Sequence, residues 1–138
     1  MTSIKLKGRE IPLSYSVYEM KLVQEEIAPL GKMLNLVTGK NPDDEKDTSW
    51  FGGAAHIEAV GKLIRIMGNA GLEEAGEDAD LTDKKVMRAI KPADLLEVIN
   101  TCLNVINEGM SSEIPEEKKT GPVDVTLEEL KKKDEKED

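Results

Sequence analysis

Aromatic side chains are scarce in this sequence: four occur among 138 residues, at Tyr15, Tyr18, Trp50 and Phe51. Strands of β-sandwich proteins are rich in aromatic and β-branched residues, so this scarcity argues against a sandwich. It favours helices packed around an aliphatic core. No stretch approaches the length of a membrane span, and the first residues lack the apolar centre of a signal peptide. We therefore expect a protein that does not enter a membrane.

Cysteine and histidine each occur once. Cys102 cannot form an internal disulfide, which favours a cytosolic compartment, and its place on an apolar helical face predicts a small core residue. Any catalytic triad would have to use His56 as its histidine, because no other is present, and the sequence has no G-x-S-x-G turn. His56 and Glu58 match only half of the zinc deaminase motif, because P-C-x-x-C is absent. We expect no enzyme, no metal and no cofactor, and we interpret His56 as a solvent-facing or capping side chain.

Positive charge is scarce too, since 28 acidic residues outnumber 19 basic ones and the net charge is -9. A nucleic-acid binder needs a basic stripe, and an anionic membrane surface attracts basic segments, so we expect neither partner. An acidic surface can also mimic DNA, as in phage anti-restriction proteins. The carboxylates here gather in loops and near the C-terminus, which favours ordinary solvated charge. The acidic stretch 78–83 lacks the glycine and glutamate positions of a calcium loop.

Alternating apolar residues at the N-terminus predict a two-stranded antiparallel hairpin with a turn at Gly8-Arg9. Its apolar face comprises Ile4, Leu6, Ile11 and Leu13. Pro12 cannot donate to a ladder and suggests an edge strand. We expect the apolar face to pack on the first helices and the free edge to serve self-association.

Helical periodicity and capping residues then predict a run of helices separated by polar loops. The predicted starts and stops are a capping box at Ser16 and Glu19, a break at Pro29, a stop at Gly39, a start at Ala54 with Gly68 and Gly71 near its end, a cap at Thr82, a start at Pro92 and a stop at Gly109.

The composition changes after Met110. Residues 111–138 hold ten acidic and six basic residues, and apolar side chains are sparse. We predict a helical domain over residues 1–110 and a disordered acidic tail over 111–138. One local exception is the T-x-x-E sequence from Thr126 to Glu129, a capping box that could start a short helix when a partner supplies the missing surface.

Trp50 and Phe51 stand together between a charged loop and two glycines. They could pack against the helix that begins at Ala54, or they could form an exposed anchor for a partner. We favour the core interpretation, because most large aromatic side chains are substantially buried.

The order of these parts resembles the tail assembly chaperones of long-tailed bacteriophages, particularly those of Gram-positive hosts. The first matching pattern is I-x-L-x-G-x-E-x-x-L-x-Y, followed by a helix with an acidic end. The second is K-P-x-D-L, followed by a last helix that ends in N-E-G-M. The residues that carry the two patterns are Ile4, Leu6, Gly8, Glu10, Leu13, Tyr15, Lys91, Pro92, Asp94 and Leu95.

The resemblance implies a non-enzymatic, mostly helical protein of the host cytoplasm. Such chaperones bind the long, hydrophobic tape measure protein, keep it soluble and help to recruit tail tube subunits. We expect a homo-oligomer that holds its client by helix-in-groove recognition. An acidic regulatory or anti-host protein of a phage is the alternative function. The expected client-binding residues are Trp50, Phe51, Ile57, Val60, Ile64, Leu95, Ile99 and Leu103.

Overall fold

The computed structural model describes residues 2–111, and it is mainly α-helical with an N-terminal two-stranded hairpin, as expected. None of the helices in this part of the chain is long and apolar enough to cross a membrane. The predicted disordered tail and the capping box at Thr126 lie outside the described residues, apart from Ser111. The elements are β1 (Ser3–Leu6), β2 (Arg9–Pro12), α1 (Val17–Glu26), α2 (Leu30–Val37), α3 (Ala54–Glu74), α4 (Asp83–Ala89), a 3-10 turn (Pro92–Asp94) and α5 (Leu95–Met110).

The hairpin pairs Ile4 with Ile11 and Leu6 with Arg9. Its two-residue turn is Lys7-Gly8, one position before the predicted one, and both residues have positive φ (51° and 81°). Two successive positive φ values match the right-handed twist of the strands, and glycine accepts such a conformation at no steric cost. The apolar face is buried, as the alternation predicts.

That face packs on a different part of the protein from the one expected. β2 lies against α3 and β1 lies against α5, instead of both packing on the first helices. The Ser14 N–H donates to the Met67 carbonyl of α3 over 3.1 Å, just after the hairpin ends. The N-terminal strands therefore join the middle and the end of the described chain.

The first helix boundaries follow the local signals. Ser16 and Glu19 form the capping box, in which the Ser16 N–H donates to the Glu19 carboxylate over 2.9 Å. α1 ends at Glu26, and Pro29 is the N-cap of α2, so the predicted break is confirmed. Thr82 caps α4 by accepting from the Lys85 N–H over 3.1 Å.

The predicted glycines lie near the helix ends, as expected, but their main role in the fold is a different one. Gly68 and Gly71 lie inside α3, which continues to Glu74, and Gly109 lies inside α5. A methyl group at Gly109 would lie 2.6 Å from the Tyr15 carbonyl oxygen, and one at Gly71 would lie 1.9 Å from the Pro12 carbonyl oxygen. Gly71 and Gly109 therefore permit close backbone contacts, whereas Gly68 makes room for the Leu81 and Ile11 side chains.

α3 is the central helix, because the hairpin and the other four helices all contact it. Arg65 on α3 binds Asp83 of α4, with 2.5 Å between Nε and Oδ1, and also the Glu26 carboxylate at the end of α1. One half-buried guanidinium therefore joins three helices. The core around α3 is aliphatic, with Ile11, Leu63, Ile64 and other large side chains fully buried.

We predict that Gly71→Ala destabilises the fold. Alanine favours a helix interior over glycine by up to about 1 kcal/mol, but the added methyl would overlap the Pro12 backbone, which cannot swing away. The net loss in the free energy of unfolding should be at least about 1 kcal/mol, measured by urea denaturation.

Gly61→Ala is the matched control on the same helix. Its methyl would meet only the Met87 side chain, at 2.9 Å from Cγ, and that side chain is partly exposed and free to move. This variant should stay within about 1 kcal/mol of the wild type. Equal losses for the two variants would contradict the close-contact interpretation of Gly71.

Candidate functional site

An apolar groove lies between α3, α4 and the beginning of α5, and it encloses about 160 Å³. Ile57 on α3 and Met87 on α4 remain 38% and 36% exposed, so the fold leaves both apolar side chains incompletely covered. Val60 also lines the groove and is buried, which makes it part of the groove's base. The complete lining is Ile57, Val60, Gly61, Met87, Ile90, Pro92 and Leu95.

The groove forms because α4 is short. Its seven residues bury Val86 against the core, and the helix ends at Ala89. Lys91 is extended (φ -77°, ψ 142°), as a residue before proline prefers, so the chain turns away before another helical turn can cover Met87. Gly61 lies on the opposite wall of the groove, where the absence of a side chain leaves room for the Met87 side chain.

Three basic residues stand next to groove residues along the chain: Lys84 is one helical turn before Met87, Arg88 follows Met87, and Lys91 lies between Ile90 and Pro92. Lys84, Arg88 and Lys91 are exposed, and within residues 2–111 none of them forms an ion pair. Asp83 is already bound to Arg65, and Lys85 donates to the Asp80 carbonyl over 3.1 Å. A protein with a net charge of -9 therefore presents a basic rim, defined here as Lys84, Arg88 and Lys91, beside its apolar groove.

The structure brings together only some of the residues that we expected to bind a client. Ile57, Val60 and Leu95 line the groove. Ile64 and Ile99 are buried in the core at 0% and 1% exposure, so they offer a partner no surface. Leu103 is half-buried against the core, outside the groove lining.

Trp50 and Phe51 also lie outside the groove lining. Trp50 is half-buried, whereas Phe51 is 48% exposed, so the core interpretation is wrong for Phe51. The Phe51 ring packs on His56, with 4.7 Å between centroids, and on Gly39, whose φ is +83°. Phe51 is thus a partly exposed aromatic side chain that contacts His56 and Gly39.

The expected self-association through the hairpin edge stays a prediction. The side chains of Ile4, Leu6, Ile11 and Leu13 are buried inside the protein, as expected of the apolar face. Within the described part of the chain the sheet has two strands, so only the outer backbone edges of the hairpin stay open to another strand.

Sequence reasoning missed Gly61, Met87, Ile90 and Pro92 as groove residues. A signal was present: Val86 and Met87 are adjacent on a short helix, so they point to different sides of it, and basic residues interleave with them and with Ile90. A single packing partner covers one of those sides, so part of the apolar surface remains uncovered.

His56 is fully buried, contrary to the solvent-facing interpretation. Its Nδ1 accepts from the Gly52 N–H over 2.9 Å, just before α3 begins, and Nε2 lies 3.0 Å from the Val37 carbonyl. A ring that accepts at Nδ1 and donates at Nε2 is neutral. His56 therefore closes the loop between α2 and α3, and burial lowers its pKa.

Cys102 is buried as predicted, and burial raises its pKa to about 12.

An apolar groove with a basic rim is suited to an apolar segment that carries acidic residues. Comparisons of the chain with family models, with curated proteins and with solved structures found no match. The groove and its rim are therefore the features of this structure that bear on function.

We predict that acidification destabilises the protein through His56. Its pKa in the folded state lies below the ordinary value of 6.5, so the unfolded chain binds the proton more readily. The full stability is present above about pH 6.5 and falls as the pH drops towards the folded-state pKa, by at most about 1.4 kcal/mol per pH unit. Urea unfolding between about pH 7.5 and pH 5.5 measures the slope.

His56→Gln is the control, because it removes the single histidine while keeping one donor and one acceptor. This variant should show no such slope in that pH range, whatever its absolute stability. A slope equal to that of the wild type would assign the pH dependence to other groups.

Proposed function

We propose that the protein is a tail assembly chaperone of a long-tailed phage, which binds the tape measure protein and helps to recruit tail tube subunits in the host cytoplasm. The observation that carries the proposal is the apolar groove in which Ile57 and Met87 are left uncovered. The family resemblance of the sequence supplies the identity of the client.

A groove of this kind accepts one face of a client helix. Apolar side chains of the client at positions i and i+4 enter between α3 and α4, while acidic side chains at its border reach the basic rim. Repeated apolar and acidic positions along a long helical client would offer several equivalent sites.

The energy available at one groove is small. Ile57 and Met87 are already about two-thirds buried, so covering the remainder of each contributes about 1 kcal/mol or less. Association itself costs at least about 4 kcal/mol, so one groove on one monomer holds a client weakly. Several copies bound along one client overcome this weakness by avidity. The proposal therefore includes a homo-oligomer, for which the open edges of the hairpin are available.

The test is co-expression with the tape measure protein of the same genome, followed by size-exclusion chromatography with light scattering. We expect a soluble complex in which several copies of this chain accompany one client, whereas the client alone precipitates. If the client remains insoluble and a host DNA-binding protein is retained instead, the proposal fails in favour of the acidic regulatory function.

We predict that Met87→Asp and Ile57→Asp weaken the complex. Each change places a carboxylate in the apolar groove, where burial without a partner costs several kcal/mol. Because both side chains are partly exposed in the free protein, the fold should tolerate the changes. The yield of soluble client and the mass of the complex are the measurements.

Val17→Asp is the matched control. Val17 is 79% exposed on α1 and lies outside the groove lining, so the same change in charge and polarity should leave client binding intact. Equal loss in all three variants would place the binding surface elsewhere.

A further inference from the structure

The chain contains a second segment whose chemistry matches the groove. Residues 123–130 read VDVTLEEL and lie outside the described part of the chain. We propose that this segment binds the groove of its own chain and that a client displaces it. The groove is the one to which the proposed function assigns the client, and the displacement, though not the binding itself, rests on that function.

Charge complementarity supports this occupant. The basic rim carries three exposed cations without an ion pair among residues 2–111, and residues 123–130 carry the three acidic side chains Asp124, Glu128 and Glu129. Opposite charges at the border of an apolar contact select the partner and its orientation. The rim places three such cations within eight residues of one another, in a chain whose net charge is -9.

The apolar side chains of the segment also match the groove. Val123, Val125, Leu127 and Leu130 are four apolar residues in a stretch of eight. Thr126 and Glu129 have the spacing of a capping box, and Val125 and Leu130 have the spacing of its hydrophobic staple. A helix this short is marginal in water by itself, so it needs a surface to pack on. The groove offers Ile57 and Met87 as that surface.

The connection is long enough. The groove lies at the beginning of α5, and the 16 residues of α5 carry the chain about 24 Å away from it. The 11 residues 112–122 span up to about 36 Å when extended, so residues 123–130 can return to the groove. Tethering at such a distance gives an effective concentration in the millimolar range, which lets a weak contact be occupied.

The contact would protect the groove until a client displaces the segment. An occupied groove hides Ile57 and Met87 from water and from unrelated proteins, and a client with several groove-binding sites replaces the segment by avidity. The apparent client affinity is then reduced by the fraction of grooves that are free.

The test uses the full chain with ¹³C-methyl-labelled methionine and follows the Met87 methyl resonance by NMR. In L127D/L130D, which removes the apolar contacts, the Met87 resonance should move. In the matched control I114D, which changes an apolar residue outside the segment, it should stay in place. The resonances of Met33 and Met67, which are buried in the core, should not move in either variant.

An unchanged Met87 resonance in L127D/L130D would overturn the proposal. A Met87 resonance of the wild type that changes on dilution would also overturn it, because binding to the same chain is independent of concentration. Charge exchange gives a further check: K84E/R88E should release the segment, and E128K/E129K in the same chain should restore the wild-type contact.

Client binding supplies a separate readout. If the segment occupies nine grooves in ten, L127D/L130D should bind the tape measure protein about tenfold more tightly than the wild type. The NMR experiment contains no client, so its failure leaves the chaperone proposal standing. A failed co-expression experiment likewise leaves the contact between segment and groove intact.

Discussion

The described fold depends on the close approach of backbones to α3, above all at Gly71. The Pro12 carbonyl occupies the place that a side chain at this position would need, and the Ser14 N–H bonds to α3 next to it. This contact holds the hairpin against the C-terminal half of the helix, so that the apolar hairpin face covers α3 and α5 together. An aliphatic core with almost no aromatic bulk can close only if its elements lie this near to one another.

The same packing buries only one side chain of α4, that of Val86. This helix is held at its beginning by Asp83 on Arg65 and by the preceding Leu81, whose backbone bonds twice to Asn69 at 3.0 and 3.2 Å. Val86 is fully buried, whereas Met87 is only partly covered and remains 36% exposed. The groove is thus a consequence of anchoring a short helix at one end and ending it before a proline.

Under the proposed function, the charge distribution would give this groove its selectivity. The acidic residues of the chain would repel other acidic surfaces, whereas the basic rim would attract an acidic segment to the apolar site. Attraction of this kind is screened by salt beyond about 8–10 Å, so it guides a segment locally instead of supplying most of the affinity. A client helix and residues 123–130 would use the same combination of contacts, which makes them competitors.

The sequence by itself determined the features that depend on neighbours within about one helical turn. The capping box at Ser16, the cap at Thr82, the break at Pro29 and the alternation of the hairpin are local hydrogen bonds, local sterics and local periodicity. These interactions form between residues that are already close along the chain.

Only the tertiary structure decided which of the apolar residues face a groove and which are core. Ile57 and Ile64 lie on the same side of α3, yet the first remains partly exposed at the groove and the second is buried, because their surroundings in the fold differ. The close contact of Gly71 with Pro12 was not predicted, because Pro12 is far away in the sequence. His56 is buried where it bonds to the Val37 carbonyl, which lies 19 residues earlier in the chain. Contacts between distant residues carry no local signal, since they exist only after the chain has folded.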